Sequence, residues 1–276
     1  TGREARGMVA DMLEYGSRLI AGVTPGKGGQ EVQGIPVYDT VAQLMAQHRP
    51  GISVISVPAA AVLDAALEAF AHGIELCLIM SERIPRLDAS RIKSAARQAG
   101  CTVIGPNSLG LIRPGLAKLG TIGGRVDNVQ QSFAPGSVAV LSRSGGMTTE
   151  IASFLTRNGI GQSIAVGVGG DAIVGAGFSD LIALLEEDAA TQAVVLYGEP
   201  GGVAEEVLAA RLQQCPSRLR FNAFLSGHFV DDLEGVRFGH AAVIVEGGRG
   251  SVRGKVEALR RAGVFVAAAF DEILTV

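Results

Sequence analysis

A chain of 276 residues with 47% hydrophobic and 18% charged side chains has room for one large or two ordinary domains, and is too apolar to be disordered. Its net charge of −3 and 5% aromatic content provide neither the basic footprint nor the stacking platform of a nucleic-acid binder. Cys77, Cys101 and Cys215 are too scattered for a disulfide framework or metal site, and no membrane-length apolar run or signal peptide is visible, so a soluble, cytoplasmic protein is expected.

In chain order, Ala5 to Tyr15 carries Met8, Val9, Met12 and Leu13 on one face of a predicted helix. A strand over 18–23 runs into a glycine loop, Thr24-Pro25-Gly26-Lys27-Gly28-Gly29. Helix 40–48, strand 52–57, helix 60–71, strand 74–80, helix 88–99 and strand 102–105 complete the first half. Strands alternating with helices of this length mean βαβ units and a parallel sheet, the α/β class. A doubly wound unit opens with its own strand, whereas Thr1-Gly2-Arg3-Glu4 leads straight into a helix, so an upstream strand is expected beyond this sequence.

Residues 113–135 are rich in glycine and proline with little periodicity, and read as the connection between two domains, 1–118 and 119–276. Alternation then resumes with strand 137–141, helix 146–157, strand 163–168, helix 178–187, strand 193–198, helix 203–213 and strand 218–223. Strand 242–246, helix 251–262 and a short strand at 264–268 close the chain.

In parallel sheets ligands lie over the carboxyl ends of the strands, and that is where the candidate loops fall. Ser142-Arg143-Ser144-Gly145-Gly146 turns a strand into a helix, and free backbone N–H groups at a helix N-terminus attract an anion; Ser144 can equally be an ordinary N-cap. Gly198-Glu199-Pro200-Gly201-Gly202 is another such turn, where Glu199 either serves the helix dipole or reaches across to orient an imidazole. Lys27 can pair with a phosphate or simply be solvated. His240 lies in a small-residue loop, Gly235 to Ala242, and can act as base, metal ligand or nucleophile; no second His or Cys stands near it at metal spacing, so no metal site is expected.

Six of these segments in order carry a family likeness: Gly22-Val23-Thr24-Pro25-Gly26-Lys27-Gly28-Gly29, Gly105-Pro106-Asn107, Ser142-Arg143-Ser144-Gly145, Val166 to Asp171, Gly198-Glu199-Pro200-Gly201-Gly202 and Gly239-His240-Ala241. Over essentially its whole length the chain resembles the α subunits of succinate–CoA ligase (succinyl-CoA synthetase). The resemblance implies a Rossmann-like CoA-binding domain followed by a flavodoxin-like ligase domain. It implies an NDP-forming carboxylate–CoA ligase that acts through a phosphohistidine and an acyl phosphate, with ATP or GTP and Mg2+ held by an ATP-grasp β subunit in a heterodimer or heterotetramer.

By position, His240 would be the phosphohistidine and Glu199 its orienting partner, with Ser142, Ser144, Gly145 and Gly146 holding the phosphoryl group. CoA would meet Thr1, Gly2, Arg3, Glu4, Lys27, Val57, Pro58, Met80, Ser81 and Glu82, and the small carboxylate would meet Thr149 and Asn107. The family's Ser-Arg-Ser-Gly-Thr-Leu-Thr-Tyr-Glu is altered here at Gly146, Met147 and Thr149, its Pro-Asn-Cys-Pro-Gly reads Pro106-Asn107-Ser108-Leu109-Gly110, and Gly227 to Asp231 departs as well. The acid therefore need not be succinate; malate and citrate are alternatives. A CoA-binding regulatory or scaffold subunit without turnover is the rival reading, and a mitochondrial matrix location applies if the source is eukaryotic.

Overall fold

A computed structural model describes residues 2–228 and 250–276. It opens with helix α1 (Arg3–Glu14), then β1 (Gly22–Val23), β2 (Glu31–Val32), β3 (Ile35–Tyr38) and α2 (Val41–Gln47). Next come β4 (Ile52–Ile55), α3 (Val62–Ala71), β5 (Leu76–Ile79), α4 (Arg86–Ala99) and β6 (Thr102–Ile104). Strands β4, β5 and β6 pair in parallel, as the alternation predicts. The single sheet expected for this half is instead two three-stranded sheets, because β3 turns back on β2 before running parallel to β1. Gln33 and Gly34 make that turn at φ 53° and 75°, the pair of left-handed residues a two-residue hairpin needs. Of the strand expected over 18–23, only Gly22 and Val23 find a partner.

The stretch read as a connection is ordered. It contains β7 (Gly110–Arg113), β8 (Ala117–Gly120) and α5 (Val126–Ser132). The hairpin β7–β8 hydrogen-bonds antiparallel to the edge of the second sheet, and residue 118, where the sequence places the domain junction, lies inside β8.

The second half follows with β9 (Pro135–Ser142), α6 (Gly145–Arg157), β10 (Gln162–Gly167), α7 (Phe178–Glu187) and β11 (Ala193–Gly198). After these come α8 (Ala204–Gln214), β12 (Arg220–Leu225), α9 (Val252–Arg261) and β13 (Phe265–Ala267). Expected strand 242–246 and the His240 loop lie outside the described residues. The strand order is β13-β12-β11-β9-β10-β7-β8, with the first five parallel. Counting β9 as the first parallel strand gives 2-1-3-4-5, the flavodoxin-like doubly wound order. Strands β9 and β11 are apolar without alternation because helices cover both faces: Val140, Leu141, Val194 and Val195 are all solvent-free.

Two core clusters sandwich this sheet, one around Leu141, Ile182, Leu208 and Leu259, the other around Val140, Ile151, Val195 and Ile273. The first also takes in Leu78 and Ile104 from the ends of β5 and β6, so the two halves share a core. A third cluster around Val62, Phe70, Ile79 and Ile92 seals α3 and α4 onto β4–β6. Burial of such side chains stabilises the fold by about 1.5–3 kcal/mol each.

Candidate functional site

Winding reverses between β9 and β11, and at such a switch point the two strand-end loops open a crevice. Ser142-Arg143-Ser144 follows β9, and Gly198 to Gly202 follows β11. The Ser142 hydroxyl ties the first loop to itself, accepting from the Ser144 amide at 3.1 Å and donating to the Ser144 carbonyl at 2.7 Å. Ser144 is the N-cap of α6, its Oγ accepting from the Met147 amide at 3.5 Å. Gly145 and Gly146 form the first turn, so the first N–H groups of α6 and the positive end of its dipole face the crevice. Gly146 is exposed, and Gly145 packs against Leu109: a Cβ there would stand 2.3 Å from Leu109 Cγ, so that side chain would have to shift. Thr149 is half-buried in the second turn of the same helix.

Arg143 is the buried hub of this end of the sheet, 7% exposed. Its amide donates to the Tyr197 carbonyl at 3.3 Å, and its guanidinium to the Gly201 carbonyl at 3.2 Å and the Asp171 carbonyl at 3.4 Å. One side chain thus spans the loops after β9, β10 and β11. Asp171 in turn accepts from the Asn107 amide group at 3.1 Å, and the Asn107 backbone N–H donates to the Ser81 carbonyl at 2.9 Å. Asn107, at φ 56°, is therefore the relay between the second-sheet loops and the Met80-Ser81-Glu82 loop after β5.

Glu199 is half-buried in the β11 loop. The loop's backbone is gripped from α9 by Lys255, whose ammonium donates to the Glu199 carbonyl at 2.8 Å, the Gly201 carbonyl at 2.7 Å and Glu205 Oε2 at 2.5 Å. Gly250, the first described residue after the segment that carries His240, accepts from the Gly201 amide at 2.8 Å and donates to Glu206 Oε1 at 3.2 Å. Burial pushes the Glu206 carboxyl above the usual range.

The expected CoA contacts divide. Glu4, Val57, Pro58, Met80, Ser81 and Glu82 line one cleft of about 590 Å³, with Ala59 from the same strand-end loop as Val57 and Pro58, and with Met8, Ser56 and Thr121, which the sequence did not mark as binding residues. Ser81 Oγ bonds the Val57 carbonyl, fastening the two loops that form its floor. Gly2 precedes α1 as its N-cap, and Arg3 begins that helix. Lys27 is exposed on the loop after β1 and is not among the lining residues, so the cleft does not gather it with the others. Thr1 and His240 lie outside the described residues. His48 and His72 are the C-caps of α2 and α3, and His228 is exposed. Among the described residues no cluster of three or more His, Cys, Asp or Glu could hold a metal ion, and no helix is long and apolar enough to cross a membrane.

A CoA-binding domain model matches residues 1–83, and a CoA-ligase model matches residues 141–265. The α subunit of the ADP-forming succinate–CoA ligase of Methanothermobacter thermautotrophicus is 44% identical over 277 residues, covering 99% of this chain and 91% of that one. Subunit SauD of the ADP-forming sulfoacetate–CoA ligase of Bilophila wadsworthia is 39% identical over 273 residues, 99% of this chain and 92% of that subunit. ATP citrate lyase from Methanothrix soehngenii, solved with citrate and coenzyme A, matches in fold with a TM-score of 0.91 at 24% identity, over 99% of this chain and 47% of its own, so the chain spans about half of that protein. With two relatives near 40% identity over almost their full lengths, the chain belongs to the family of α subunits of the ADP-forming succinate–CoA ligases.

Proposed function

We propose that this chain is the α subunit of a cytoplasmic NDP-forming carboxylate–CoA ligase, completed by an ATP-grasp β subunit that holds ATP or GTP with Mg2+. The observation that carries the reading is the adjacency of the anion-type turn after β9 and the Glu199 loop after β11, cross-tied by Arg143 at the flavodoxin-like switch point. A carboxylate resists thiol attack because an oxide ion is a poor leaving group. His240 takes the γ-phosphoryl from the nucleotide, releasing the diphosphate, and Glu199 orients its imidazole. The helix α6 N-terminus, with Ser142, Ser144, Gly145 and Gly146, holds the phosphoryl group while it passes to the carboxylate oxygen. CoA lies along the Val57–Pro58 and Met80–Glu82 cleft, its sulfur attacks the acyl carbon of the acyl phosphate, and inorganic phosphate departs.

Thr149 and Asn107 border the acid. Threonine in place of the family's tyrosine at 149 favours a second reading of substrate choice, in which the acid is a small polar carboxylate other than succinate. Two units are proposed, a CoA-binding one and a phosphoryl-handling one, the second beginning before the hairpin β7–β8.

The test is phosphoryl labelling. The chain, co-expressed with its β subunit and given γ-labelled ATP and Mg2+, should acquire acid-labile, base-stable label that is lost in His240→Ala, which still binds CoA. Discharge by succinate, malate or sulfoacetate names the acid. Label retained in His240→Ala overturns the assignment, and CoA binding without any label supports the non-catalytic rival.

A further inference from the structure

Lys255 is solvent-free, and its partner Glu205 is 1% exposed. Taking a lysine and a glutamate out of water costs several kcal/mol per ion before their attraction is counted, and a well-packed apolar pair usually serves stability as well or better. Stability alone is therefore a poor reason for the pair. What the ammonium does, and a methyl group cannot, is aim three donors from one point: two go to carbonyls on either side of Pro200, those of Glu199 and Gly201, and the third to Glu205. The other carboxylate oxygen, Glu205 Oε1, is buried beside Gly198 without a hydrogen-bond partner among the described residues, and a Cβ added at Gly198 would stand 2.5 Å from it. Gly201 also receives Arg143 and donates to Gly250. The carbonyls of Glu199 and Gly201 are thus held from α9, the Gly198 carbonyl accepts from the Ser226 amide at 3.2 Å, and Gly250, beyond the His240 segment, is tied to the same loop.

We propose that Lys255, with Glu205, is the positioning residue of the phosphoryl-transfer site: it fixes the backbone from which the Glu199 carboxylate reaches the histidine. The inference rests on the reading of Glu199 as the orienting group. Its effect is on histidine phosphorylation, with CoA binding untouched.

The test uses the co-expressed complex and the rate of label uptake from γ-labelled ATP. Lys255→Met leaves Glu205 buried without its cation, so K255M/E205L, which removes both charges together, is made beside it. In K255M/E205L the labelling rate should fall about 10–100-fold, as for other groups that orient a reacting ligand. CoA affinity and the melting temperature should stay near those of the parent. Glu199→Gln should be slowed comparably, and adding K255M/E205L to it should slow labelling little further, the non-additivity of residues that act as one. Parent-like labelling in K255M/E205L beside an impaired E199Q overturns the role of Lys255 alone, as does a multiplied defect in the combined variant. Parent-like labelling in E199Q overturns the Glu199 reading and this inference with it. Loss of CoA binding together with labelling also overturns it, since that marks a residue that merely holds the fold.

Discussion

The two candidate sites of this chain are built in opposite ways. At the switch point of the second sheet, loops are cross-tied by buried charged side chains: Arg143 reaches three strand ends, and Lys255 takes up the carbonyls of Glu199 and Gly201. The cleft proposed for CoA is open, lined by short segments from α1, the β4 and β5 loops and Thr121, and fastened mainly by Ser81 on Val57. The difference suits the chemistry proposed for each. A phosphoryl group in transfer must meet fixed donors, since reorganising them during the reaction adds to the barrier. A long flexible thiol ligand is bound through many modest contacts, and its site tolerates more give. Changes at the first site should therefore be read in the rate of labelling, and changes at the second in the KM for CoA.

The largest effect should come from breaking both regions at once through the hairpin that joins them. Gly110 has φ +125°, and a Cβ there would lie 2.0 Å from the Leu119 carbonyl oxygen of the facing strand. Gly110→Ala should cost about 3 kcal/mol or more in denaturant unfolding and weaken CoA binding and labelling together. An unchanged midpoint would mean that β7–β8 is not the joint.

Arg143→Met comes next and separates the regions. Labelling should slow about 10–100-fold, with CoA affinity intact, because only the tie between the β9, β10 and β11 loops is lost. Equal damage to both readouts would erase the contrast.

Thr121→Trp tests the other side. The indole should crowd the cleft and raise the KM for CoA about tenfold, leaving ATP-dependent labelling unchanged. A slowed labelling rate would show the two sites to be coupled.

The smallest effect concerns Glu206, whose Oε2 is buried without a hydrogen-bond partner among the described residues. Burial raises its folded-state pKa, so the protonated form favours folding; that contribution is full below the unfolded-state pKa and is lost as pH rises from there through the folded-state pKa. Glu206→Gln keeps an acceptor for the Gly250 amide. It should leave the unfolding midpoint unchanged below about pH 4, where both states are protonated, and raise stability at pH 8 by under about 1 kcal/mol. A destabilised variant at pH 8 would show that the carboxylate has a partner to lose.

Much of this was legible in residue order. Strands such as β5, β9 and β11 announce themselves as unbroken apolar runs, and the loops with chemistry announce themselves as glycines at strand ends. The hairpin β7–β8 did not, because its four-residue strands are bracketed by Gly110, Pro114, Gly115 and Gly120, which read as loop. The Gln33-Gly34 turn lacks the asparagine or aspartate that usually flags such a hairpin. Lys255 was invisible for a different reason: a lysine on a helix carrying Arg253, Arg260 and Arg261 reads as a solvated face, and only the carbonyls of a loop some 55 residues earlier make it a core residue. Likewise Met8 and Thr121, more than a hundred residues apart, meet in the cleft proposed for CoA only through tertiary packing.

The way α1 is fastened has a practical consequence. Ser17, just beyond its end, exchanges two hydrogen bonds with the backbone of Lys118; the Tyr15 hydroxyl accepts from the Gly115 amide, and Met12 Sδ from the Gly120 amide. Helix α1, which lines the cleft proposed for CoA, is thus bolted to a hairpin that hydrogen-bonds into the second sheet. A chimera made by grafting a relative's CoA-binding half onto this ligase half would part those bolts if spliced at residue 105. It should be joined after residue 124 instead, with the hairpin travelling alongside the helix it holds.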